Sequence, residues 1–72
     1  MITYMLFFNR ATGSLDELQE FASVDAAIAA YEDAELAELH SGDDIEIALE
    51  TARDIDALKS AHPRFFKKVV AA

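Results

Sequence analysis

Apolar and polar positions along the 72-residue chain alternate between strand-like and helical spacing, and each such segment predicts an element. The opening stretch, "ITYMLFFN", is β-branched and aromatic with no Gly or Pro inside it, which predicts a strand. Its even positions are Ile2, Tyr4, Leu6 and Phe8, and its odd positions are Thr3, Met5, Phe7 and Asn9. Both sets are largely apolar, so both faces want cover, and the strand belongs in the middle of a sheet or against a second subunit. "NRATGS" is turn-forming, with Gly13 free to take positive φ.

The next segment reads two ways. "SLDELQEF" can return as a second strand, about Leu15 to Ala22. It also has a helical signature: Ser14 and Glu17 at capping-box spacing, then Leu15, Leu18 and Phe21 at three-residue steps. The strand is preferred because a lone hydrophobic strand leaving Gly13 needs a nearby partner. In addition, Ser23 is a fresh N-cap for a new helical pattern.

That pattern predicts a helix from about Val24 to His40, rich in Ala, with Asp25 in its first turn and Gly42 as its stop. The expected inward face is Val24, Ala27, Ile28, Tyr31 and Leu39, with Glu35 in the middle of the same arc. "DIEIALE" then alternates strictly: Ile45, Ile47 and Leu49 on one side, and Glu46, Ala48 and Glu50 on a side expected to be wet. A second helix, about Asp54 to Ala61, is capped by Thr51 or Asp54 and stopped near His62 by Pro63. Pro63 is placed to open a further short helix carrying Phe65, Phe66, Val69 and Val70 in one stripe.

The order is thus β-β-α-β-α in one α+β domain spanning 1–72. A right-handed crossover would bring the third strand parallel to the second. The two-sided first strand gives a three-stranded sheet in order 2-1-3. Both helices are expected on one sheet face, leaving the other apolar face exposed and favouring a homodimer.

Composition sharpens this picture. A chain this short buries only roughly 60% of the surface its unfolded form exposes, and with no Cys it has no disulfide or thiolate metal site to support it. The absence of Cys and of a basic n-region or small-residue cleavage site near Met1–Phe8 fits a cytoplasmic protein, and no run approaches a membrane span. The net charge is −8, unevenly spread. All fourteen acids and one base, Arg53, fall in residues 16–56; Lys59, Arg64, Lys67 and Lys68 follow with no acid. Such a body repels nucleic acid and anionic membrane and suits a basic protein partner, although acids also simply confer solubility.

Few chemistries are open. Two glycines exclude a phosphate-cradling loop, and no serine sits in a glycine elbow. His40, Asp43 and Asp44, with Glu46, match no metal-ligand spacing, and no cofactor is called for. The closing "HPRFFKK" could stack on bases and hold phosphates, but four positive charges are few beside thirteen net negatives. Its aromatics are read as core anchors instead. The best set for a small enzyme site is Tyr31, Glu35 and His62, with Glu35 as candidate base. Glu32, Asp33, Glu35, Glu38, Asp43 and Asp44 could instead imitate a row of phosphates and occupy the basic groove of a DNA- or RNA-handling protein.

"YMLFFNRATG", "EFASVDAAIAAYEDAE" and "DIEIALETARDIDALKSAHPRFF" together resemble a group of short actinobacterial and phage proteins. These combine a hairpin bearing Arg and Gly, a helix ending in Glu, and a closing H-x-R-[FY]-F. The resemblance covers nearly the whole chain and implies no activity. It does imply that Arg10, Glu35, His62, Arg64 and Phe66 form a recurring set, and with Tyr31 these are the candidate binding residues. The expectation from sequence is a small acidic interaction or regulatory module.

Overall fold

The structure is a computed structural model that describes residues 1–42 and 44–67. Its elements are β1 (Ile2–Asn9), β2 (Ser14–Phe21), α1 (Val24–Ser41), β3 (Ile45–Ala52), α2 (Ile55–Ala61) and a 3-10 turn (Pro63–Phe65). The sheet order is β2-β1-β3, with β1 antiparallel to both neighbours. The α+β class, the element order and the central place of β1 are as the pattern predicts. Val69 and Val70 lie outside the described residues.

Segment 14–21 is a strand, and its helix-like leucine spacing has a structural cause. Phe7 pairs with Glu17 but Phe8 pairs with Leu15, so Asp16 is an extra residue, a β-bulge. The bulge breaks the two-residue alternation and turns Leu15 and Leu18 to the same side, where both pack on the core. The hairpin loop is set by Asn9, whose Oδ1 accepts the amides of Ala11 and Thr12 at 2.9 and 3.2 Å. Gly13 closes it at φ 74°, donating to the Asn9 carbonyl at 2.8 Å.

The helices lie on opposite faces of the sheet, which corrects the expectation of one shared face. On the even side of β1, Tyr4 and Leu6 form a core with Ala52, Leu58 and Phe65, bordered by Ile2, Phe8, Leu18 and Ile55. This side belongs to α2 and the 3-10 turn. On the odd side, Thr3, Met5 and Ile47 are also buried, outside that cluster. Their cover is α1, which contacts all three strands and buries Ala27 completely. The reason is the two-sided strand itself. The crossover from β2 to β3 spans β1 and lays α1 on one face; the other apolar face needs cover, and the short link Arg53–Asp54 returns the chain there. The uncovered sheet face that pointed to a homodimer is therefore absent.

The inward side of α1 also differs from the sequence reading. Ala27, Ala30, Tyr31 and Ala34 are buried or half-buried, whereas Val24, Ile28 and Leu39 are exposed. The helix is rotated so that its alanines meet the sheet. Small side chains allow close approach over Met5 and Ile47, a position the bulkier stripe would hold farther away. Ser23 caps α1 by accepting the Ala26 amide at 3.1 Å, and Gly42 ends it at φ 75°. Asp54 caps α2 through the Ala57 amide at 2.8 Å.

Candidate functional site

The closing segment folds onto β3. Glu46 and Glu50, expected on a wet face, point to the α2 side, because Phe8 pairs with Glu46 and Tyr4 with Glu50 across the sheet. Both carboxylates are half-buried there and are met by the bases that follow Pro63 or precede it. Arg64 grips Glu46 with both fork nitrogens, Nη1 to Oε1 at 3.2 Å and Nη2 to Oε2 at 2.6 Å. Its guanidinium lies 4.1 Å from the centre of the Phe65 ring and 5.7 Å from that of Phe8. Those two rings meet edge to face at 5.4 Å. His62 Nε2 lies 3.3 Å from Glu50 Oε1, an ion pair when the imidazole is protonated. Arg10 reaches Asp44 at 2.8 Å and joins the hairpin loop to the start of β3, its amide also bonding the Asp44 carbonyl at 2.9 Å.

The electrostatics make this a clasp. The Arg64 hydrogen bonds hold the Glu46 carboxyl below the usual carboxylate range, against the opposing effect of its partial burial, with Arg10 adding to the lowering. The same hydrogen bonds raise Arg64. Phe65 is in the core, Phe66 packs at its border and carries Lys59 at 5.8 Å from its ring centre. Arg10, His62, Arg64 and Phe66 thus gather on one side of the molecule, but their polar groups are engaged by Asp44, Glu50 and Glu46. Phe65 in the core and Phe66 at its border are as the anchoring reading of "PRFF" expects. Lys68 lies outside the described residues.

Tyr31 and Glu35 lie on the opposite side, on α1. The Tyr31 hydroxyl donates to the Glu35 carboxylate one turn later, and that hydrogen bond, then burial, then the carboxylate's charge push the phenol up. The sheet stands between this pair and His62, so the structure places Tyr31, Glu35 and His62 at two sites. Glu35 also parts from the other members of the recurring set. Of the acids that could imitate phosphates, Glu32 and Asp33 are exposed, Glu35 and Glu38 are half-buried, and Asp44 is paired with Arg10. Asp43 lies outside the described residues. Among the described residues no three His, Asp or Glu side chains gather to hold a metal ion, and no helix is long and apolar enough to cross a membrane.

The flank of α1 is the surface that sequence reasoning assigned to the core. Val24 is 55% exposed, Ile28 43%, Leu36 58% and Leu39 76%. At 100° per residue, Val24, Glu35, Ile28 and Leu39 fall within about 60° of one another, one line along the helix. Asp25 and Glu32 border that line, and α1 carries five acids with neither Lys nor Arg. The signal that could have found this was the i, i+3, i+7 run of Ala27, Ala30 and Ala34, a second and smaller stripe beside the larger one. No protein-family model matches the chain, and neither does any curated protein or solved structure.

Proposed function

We propose that this protein is a small acidic interaction module that binds another protein through the outer flank of α1. The observation that carries the reading is the exposed row of Val24, Ile28 and Leu39 on a helix whose charges are all acidic apart from its terminal His40. Large aliphatic side chains left in water at helical spacing lose the stabilisation that burial would give, about 1.5–3 kcal/mol each when fully covered. A partner that covers them recovers it, and the flanking acids select a basic one. A homodimer through this same flank is disfavoured by its charge. There Asp25 and Glu32 of one copy would approach the acids of the other, which opposes self-docking. An enzyme reading has less support, because its three side chains do not converge. The imitation of nucleic acid has less support too, because among its described acids Glu35 and Glu38 are half-buried and Asp44 is paired with Arg10.

The test is capture from native lysate by the tagged protein and by an Ile28→Asp/Leu39→Asp variant, washed at low and high salt. The reading predicts a stoichiometric partner held by the parent protein, weakened by salt and absent from the variant. Equal recovery by both proteins would overturn it. A salt-sensitive partner that itself handles nucleic acid, and that the variant retains, would favour imitation of phosphates.

A further inference from the structure

Glu35 is the one charged group on the line of exposed aliphatic side chains, between Ile28 and Leu39. It is half-buried and stands one helical turn after Tyr31. A carboxylate offers about four acceptor positions. Such a group inside an apolar row is costly to cover with an apolar surface, because it would lose its water without a replacement. It is favourable to cover with a surface that brings a cation to that point. The row itself runs along sixteen residues, Val24 to Leu39, whose fifteen steps of about 1.5 Å span about 22 Å, a length that one helix of a partner can match.

Resting on the reading of α1 as a docking face, we infer that its occupant is a basic amphipathic helix. Aliphatic side chains one and two turns apart on that helix cover Val24, Ile28 and Leu39. A Lys or Arg between them pairs with Glu35, and further bases meet Asp25 and Glu32. Charge complementarity selects this occupant over a second copy, whose α1 brings only acids to the contact. Glu35 is then the residue that sets specificity.

The experiment titrates the isotope-labelled full chain with two synthetic helical peptides of identical aliphatic spacing, one with Lys and Arg at the remaining positions and one with Glu. Amide shifts report which surface is touched. The inference predicts that the basic peptide moves resonances of residues 24–39 and that the acidic one does not. Glu35→Gln, which keeps the shape and the tyrosine contact but removes the charge, should weaken the basic peptide about tenfold, the loss expected for one charged hydrogen bond. Glu35→Asp should restore part of it. Binding of both peptides to α1 with equal affinity, or no effect of Glu35→Gln, would overturn the inference while leaving α1 a docking face. Failure of the basic peptide to move residues 24–39, with shifts elsewhere or none, would overturn the inference; joined to equal capture by the Ile28→Asp/Leu39→Asp variant, it would overturn the docking face as well.

Discussion

Leu58 and Glu46 show two different ways in which single residues hold this domain. Leu58 is fully buried among Tyr4, Leu6 and Phe65, and α2 has no other fully buried side chain. Leu58→Ala should therefore destabilise the domain by about 2–5 kcal/mol, read as a lowered midpoint in urea unfolding. A loss below about 1 kcal/mol would mean that α2 is not docked as described. Glu46 acts through charge. Its folded pKa lies below its unfolded value, because Arg64 hydrogen-bonds the ionised form. The stability it contributes is therefore present above the unfolded pKa and is lost as pH falls through the lower, folded one. Glu46→Gln should flatten the acid limb of a stability-against-pH profile in that window and leave its alkaline limb unchanged. An unchanged acid limb would show that the Arg64 fork contributes nothing to folding.

At the scale of elements, β2 is where local pattern and tertiary structure compete. Leu15 and Leu18 share a face three residues apart because a bulge at Asp16 absorbs one residue, a feature that no two-residue template contains, whereas Phe21 pairs with Thr3 and lies on the other face. Deleting Asp16 removes the extra residue and leaves Leu15 and Leu18 two residues apart, still on one sheet face. The deletion should therefore keep a cooperative unfolding transition, whereas deleting Asp16 and Glu17 together makes the leucines adjacent, sends one to the other face and should abolish it. Two similar outcomes would remove the bulge from the account. Most of the fold was legible because the strands β1 and β3, the caps Ser23 and Asp54, and the stop at Gly42 each depend on neighbouring residues. The facing of α1 was not legible. Two stripes compete on that helix, and the larger aliphatic one does not win, because the sheet below already presents Met5 and Ile47 and leaves room only for alanines. The roles of Glu46 and Glu50 were hidden for a related reason: their partners, Arg64 and His62, are brought to them only by the turn of the chain after α2.

For the whole molecule, the three-layer arrangement of α1, sheet and α2 explains both stability without Cys and the placement of surface. Two short cores, one on each face of β1, replace the single larger core that 72 residues cannot build. His62 and Arg64 of the closing segment are engaged by Glu50 and Glu46 of β3, and the apolar side chains that the alanine face displaces lie along one flank of α1. Substitution there should separate binding from folding: Leu39→Asp should shift the urea midpoint by less than about 0.5 kcal/mol equivalent while removing the captured partner. If this flank takes a partner other than a second copy, as proposed, sedimentation velocity of the purified full chain across a concentration series should show a monomer throughout, with the Leu39→Asp variant indistinguishable from it. A stable dimer that Leu39→Asp dissociates would contradict the proposal, since the flank would then already be covered by a second copy.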